Sequence, residues 1–213
     1  MKVKEMEQRV GGLSKPSKMP GFAYGIPAWE CKIGSFLRKV KNSVCSKCYA
    51  LKGMYVFPVV RAAQETRFKK IHGPNWVIDM TTLIQFKYRK KKTKKDRIFR
   101  WHDAGDIQSV AHLEKIVEIA NSLPTMRFWL PTREKQILRD FLATGQEFPA
   151  NLIVRVSAAM IGQSQDDNIP GTVSSTVGVG KGFQCKAPKQ KGKCLNCRAC
   201  WDNSVKVVDY SQH

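Results

Sequence analysis

The stretch from Arg97 to Ser157 constrains the fold most. It alternates short strand-like runs with segments of helical period. RIFRWHD (97–103) reads as a strand, and Ala104-Gly105-Asp106 as the turn that follows it. Val110, Leu113, Ile116, Val117 and Ala120 then share one helical face, with a stop near Asn121 and Pro124. MRFWL (126–130) is the next strand. Thr132 suits the N-cap of another helix, with Glu134 in its first turn. Ile137, Leu138, Phe141 and Leu142 form that helix's buried stripe, and Gly145 ends it. LIVRV (152–156) closes the series. A β-α-β-α-β order with short connections implies parallel strands and right-handed crossovers.

Two helices precede this unit, at Pro58–Ile71 and Trp76–Tyr88. Short strands are expected at Phe22–Ile26 and, as an edge strand, at Val205–Val208. The 213 residues therefore read as one α/β domain. It has an irregular segment at 1–57, a β/α core at 58–160, and a loop with a C-terminal segment at 161–213. A partial or small TIM-barrel-like β/α repeat is expected, with irregular cysteine-bearing segments at both ends. Gly178-x-Gly180-x-Gly182 follows no clear strand and opens no helix, so it is not read as a phosphate loop.

In parallel β/α folds, ligands sit at the carboxyl ends of the strands. His102, Asp103 and Asp106 follow the first strand of the unit, Thr132 and Arg133 the second, and Ser157 the third. Asp103, Asp106, Arg133 and Ser157 are the rim candidates for acid/base, anion or polar substrate contacts. Plainer roles stand beside these: Asp106 and Thr132 as helix caps, His102 as a strand-end side chain with a local hydrogen bond.

The seven cysteines fall into two groups. Cys185, Cys194, Cys197 and Cys200 have the spacing C-x8-C-x2-C-x2-C, with Trp201 directly after. Soft thiolates in such density suit zinc or an iron–sulfur cluster. The triple C-x2-C-x2-C is the run of ferredoxin-type cluster loops, whereas structural zinc usually takes two separated pairs. A 4Fe–4S cluster on these four residues is the expectation, with zinc as the alternative and free thiols or disulfides behind both. Cys31, Cys45 and Cys48, at C-x13-C-x2-C, are candidates for a second metal site or for plain burial as small hydrophobes. Four thiolates saturate a cluster, whereas three leave one iron open.

The odd cysteine count points to a reducing compartment over a disulfide framework. MKVKEMEQRV has no apolar core, so no secretory leader is expected. No apolar run approaches the ~18 residues of a membrane span, so no membrane partner is expected. The net charge of +20 attracts polyanions. Between Lys87 and Arg100 stand nine basic residues and one acid, with Phe86, Tyr88, Phe99 and Trp101 among or beside them. Such a run suits phosphate contact plus base stacking, or a solvated loop. Nucleic acid and a redox protein are thus the two candidate partners.

KMPGFAYGIPAWEC, CSKCYALKGMY, FRWHDAGDI, VRVSAAM and the closing C-x8-C-x2-C-x2-CW together resemble the bacteriophage "gene product eighty-eight" family, from about residue 11 to 201. The resemblance implies a phage-encoded protein with a small β/α-barrel-like fold and an iron–sulfur cluster, its closing motif falling on Cys185, Cys194, Cys197 and Cys200. Separately, Cys45-x2-Cys48 followed by Tyr49 resembles the end of the C-x3-C-x2-C loop of radical S-adenosylmethionine enzymes, also β/α barrels. Cys31 lies too far upstream for that loop. The leading expectation is a viral iron–sulfur protein with a redox role. A zinc-stabilised nucleic-acid-binding protein and a radical enzyme using Cys31, Cys45 and Cys48 are the alternatives.

Overall fold

A computed structural model describes residues 3–91, 93, 96–164 and 168–212. Seven strands form one sheet: β1 (Phe22–Tyr24), β2 (Ile98–Trp101), β3 (Arg127–Thr132), β4 (Leu152–Ser157), β5 (Val173–Val177), β6 (Phe183–Gln184) and β7 (Val207–Tyr210). Every ladder is parallel, in the order β1-β2-β3-β4-β5-β7-β6. The helices are α1 (Val3–Val10), α2 (Lys32–Leu37), α3 (Pro58–Lys70), α4 (Trp76–Tyr88), α5 (Val110–Ser122) and α6 (Lys135–Ala143). The β/α alternation expected for 97–157 is present. The barrel is not: the sheet stays open, with β1 and β6 at its edges. Val207–Tyr210 is an inner strand, not an edge, because the two-residue β6 adds on outside it.

Side-chain alternation assigns the two faces. Phe99, Trp101, Phe128, Leu130, Val154 and Val156 point to the side where α1, α4, α5 and α6 pack, and build the main core. Their neighbours Ala23, Ile98 and Trp129 point to the opposite side and pack against Trp201. Both faces of the sheet are therefore buried, as an all-parallel sheet requires. One face is covered by helices. The other is covered by the cysteine-bearing segment that follows β6.

Local chemistry fixes the helix ends. The Ser109 side chain accepts the His112 N–H (3.1 Å) and caps α5. Thr132 is not the cap expected for α6. It remains in β3, where its hydroxyl accepts the Glu134 N–H (3.1 Å) and donates to Asp106 Oδ1 (2.6 Å). The turn after β2 needs glycine at 105. Its φ is +82°, and a Cβ there would stand 2.7 Å from the Ile26 carbonyl oxygen. Gly105→Ala is expected to cost about 2–4 kcal/mol, from left-handed strain plus overpacking. Urea denaturation measures it, and a loss under ~0.5 kcal/mol would contradict the tight turn.

The basic run lies between α4 and β2, and Lys92, Lys94 and Lys95 fall outside the described residues. The stacking expected of its aromatics fails for three of them. Tyr88, Phe99 and Trp101 are buried in the core, and Phe86 carries the Arg89 guanidinium 3.6 Å from its ring centre. Among the described residues no helix is long and apolar enough to cross a membrane.

Candidate metal centre

The chain from β6 to β7 crosses the helix-free face of the sheet in short turns. Cys185 enters from β6, its N–H donating to the Asp209 carbonyl of β7 (2.8 Å). The Cys194 N–H donates to the Lys18 carbonyl (2.9 Å), and the Cys197 N–H to the Cys194 carbonyl (2.9 Å). Trp201 is the anchor. It is buried, its indole N–H donates to the Phe99 carbonyl (2.8 Å), and its ring meets Trp129 edge-on at 5.2 Å.

Cys185, Cys194, Cys197 and Cys200 line one cavity of about 20 Å³, closed by Phe183, Trp201 and Val208. This is far below the ~300 Å³ of a typical organic-ligand site. The room left between the thiols is about that of one water molecule, so a larger group would have to spread them. Among the described residues no three His, Cys, Asp or Glu side chains stand where they could hold a single metal ion. The donor set is four thiols, of the chemistry that soft metals take.

Two opposing effects act on the thiols, and burial, which disfavours the anion, is the larger. Burial pushes the Cys200 thiol up to about 11, against the pull of Tyr210 and Arg155. The Tyr210 hydroxyl lies 3.1 Å from Cys200 Sγ. Burial also raises Cys185 and Cys194, and the Arg100 charge opposes it at Cys194. Arg100 lies over the Trp129 ring at 4.4 Å and donates to the Tyr49 hydroxyl (2.9 Å). The Gly178–Gly182 loop binds no phosphate with its first amides. The Val179 and Gly180 N–H groups donate to the Asp209 carboxylate (3.2 and 2.8 Å).

Arg155 carried no sequence expectation, and Arg100 only that of the basic run it ends. Arg155 is fully buried in β4 and faces the C-terminal segment. Arg100 occupies the same face of β2. The signal was a lone cation in each apolar run, LIVRVS and IFRW, since a charge on a strand buried on both faces must have partners.

The rim candidates separate into distinct networks. Asp106 Oδ1 accepts the Ile107 N–H (2.8 Å) and the Thr132 hydroxyl, and Oδ2 accepts the Arg133 N–H (2.9 Å). Burial raises its pKa to about 6. The Arg133 guanidinium donates to the Ala158 carbonyl (3.2 Å). Asp103 faces the other way: its carbonyl accepts the Tyr49 hydroxyl (2.7 Å), and its carboxyl Oδ2 lies 3.5 Å from the Tyr55 hydroxyl. Ser157 accepts the Ser175 hydroxyl (3.2 Å). His102 lacks the local hydrogen bond expected of it. Both ring nitrogens are buried without a partner among the described residues, its φ is +55°, and burial with His112 beside it keeps the ring neutral.

The N-terminal cysteines also come together, although thirteen residues separate Cys31 from Cys45. They lie at the carboxyl ends of β2–β4. The Glu134 carboxylate accepts the Ile33 N–H (2.9 Å), and the Val44 N–H donates to the Ala159 carbonyl (2.8 Å).

No curated protein and no solved structure gives a significant match to this chain. The family model described as Gene product 88 matches residues 2–203, and the chain, with both cysteine groups inside the match, belongs to that phage gene-product family.

Proposed function

We propose that this chain is a viral iron–sulfur protein. It holds one 4Fe–4S cluster on Cys185, Cys194, Cys197 and Cys200 and works in electron transfer within the reducing host cytoplasm. The observation that carries this reading is the single cavity lined by all four cysteines. A bound cluster of this kind supplies one-electron redox chemistry. The chain's own residues set the conditions. Trp201, buried against Trp129, excludes water from one side of the cavity. The Tyr210 hydroxyl is placed to donate to the Cys200 sulfur, and the Arg155 and Arg100 charges favour thiolate at Cys200 and Cys194. Hydrogen bonds to sulfur and nearby cations favour the more negative, reduced state, and so raise the potential. The +20 charge would steer an acidic redox partner.

The test is purification without oxygen, followed by iron and sulfide analysis and EPR after dithionite. The double variant Cys194→Ala/Cys197→Ala is expected to lose about four irons and four sulfides per chain. A colourless protein with one zinc per chain on these residues would overturn the proposal.

A further inference from the structure

We propose that Cys31, Cys45 and Cys48 form a second iron–sulfur site, of three thiolates, whose remaining iron is open to a small anionic ligand. The inference goes beyond the C-terminal assignment and does not depend on it.

The argument starts from Gly34, in the first turn of α2. A Cβ there would stand 2.9 Å from Cys31 Cβ and 3.7 Å from the sulfurs of both Cys31 and Cys45. The two sulfurs, far apart in sequence, therefore both lie beside Gly34, where a side chain would press on Cys31. Cys48 joins through a tight turn over Val44–Lys47, closed by its N–H on the Cys45 carbonyl (3.2 Å). Cys48 lies close enough to act electrostatically on both Cys31 and Cys45. Cys45 is buried and the other two are half-buried.

The loop is also pinned in place. The Ser43 side chain donates to the Leu37 carbonyl (2.5 Å) and accepts the Ser46 N–H (3.0 Å). Ser43 pairs with Met160 across a β-bridge, and the Tyr49 hydroxyl is held by the Asp103 carbonyl. The thiols are thus fixed to the carboxyl ends of parallel strands, where β/α proteins bind ligands.

Among the described residues the two carboxylates beside Cys31 are already engaged. Asp106 and Glu134 are the carboxylates beside Cys31. Asp106 is engaged by Ile107, Thr132 and Arg133, and Glu134 by the N–H groups of Lys32 and Ile33. Arg133 and Arg38 place positive charge beside Cys45. An incoming carboxylate suits that charge and would complete the open iron.

The test uses the full chain, loaded with ferrous iron and sulfide without oxygen, with citrate as the carboxylate probe. Wild type is expected to hold about eight irons, as two 4Fe–4S clusters do. After dithionite, one of two EPR signals moves on addition of citrate, and the thiolate-saturated one does not. Cys45→Ala/Cys48→Ala loses half the iron together with the citrate-sensitive signal. Cys194→Ala/Cys197→Ala loses the other half and keeps that signal, so the two sites fail separately. The proposal is overturned by full iron retention in the Cys45/Cys48 variant, by one zinc on the triad, or by a wild-type spectrum that citrate leaves unchanged. The wild-type arm does not depend on either variant folding.

Discussion

Arg155→Met is expected to lower stability by about 3–5 kcal/mol, read by urea denaturation of the anaerobic protein. The guanidinium is fully buried and makes five hydrogen bonds. Nη1 donates to the carbonyls of Ser174 (2.7 Å) and Val205 (3.1 Å). Nη2 donates to those of Ala199 (3.2 Å), Asp202 (3.3 Å) and Val205 (3.1 Å). No carboxylate pairs with it in these bonds. It serves as a fork of donors for a loop whose carbonyls face inward. Methionine fills much of the volume but removes a donor from all four carbonyls; those of Ala199 and Asp202 keep the N–H groups of Asp202 and Val205, so the loss falls mainly on Ser174 and Val205, at ~1–3 kcal/mol for each group left unmade. Lysine is a poor substitute, because three donors on one nitrogen cannot span carbonyls from residues 174 to 205. Arg155→Lys should recover less than half the loss. The loop concerned carries Cys200, so the methionine variant should also lose iron faster in air. A variant with wild-type stability would show that the loop is held by Trp201 alone.

The β/α core was legible because each strand and helix writes its own period. Phe99, Trp101, Phe128 and Leu130 alternate as a sheet face must, and α4 begins and ends where its apolar spacing does. Closure was not legible. Consecutive strands lie side by side from β1 to β5, as they would in a barrel. Whether the ends meet depends on twist and on what covers the inner face. Here Trp201 and its loop cover that face, and the sheet stays open. The extra strand outside β7 was hidden for a different reason. Phe183–Gln184 is too short to show any alternation.

The candidate sites were legible to different depths. The C-terminal four announced themselves by spacing, and a common cavity follows from short loops between ligands. The approach of Cys31 to Cys45 could not be read from thirteen intervening residues. It depends on Glu134, a hundred residues away, receiving the N-terminus of α2. Arg100 and Arg155 were visible as anomalies within apolar strands, but only tertiary structure shows what they hold. The rim residues divide between networks because Asp103 and Asp106, three residues apart, turn to opposite sides of the Gly105 turn. Asp103 meets Tyr49 and Tyr55, and Asp106 meets Thr132.

Trp201→Ala is expected to cost about 3–5 kcal/mol, the range for deleting a fully buried aromatic side chain. Three losses combine. The indole leaves a cavity against Ala23, Ile98 and Trp129, in a small cluster with few other members to close in. Trp129 loses its edge-on partner, worth about 0.5–1.5 kcal/mol beyond area. The Phe99 carbonyl loses the indole N–H. Trp201→Phe separates these terms: it keeps most of the apolar volume and the ring contact but not the donor, and should cost about 1–2 kcal/mol. Position adds an effect that stability alone does not measure. Trp201 follows Cys200 directly and lines the same cavity as the four thiols. Alanine opens that cavity to water on the sheet side, whereas phenylalanine keeps it closed. Bleaching of the visible absorption in air should therefore be several-fold faster in Trp201→Ala and near wild type in Trp201→Phe. If both variants bleach alike at their different stabilities, the indole braces the fold without shielding the thiol cavity.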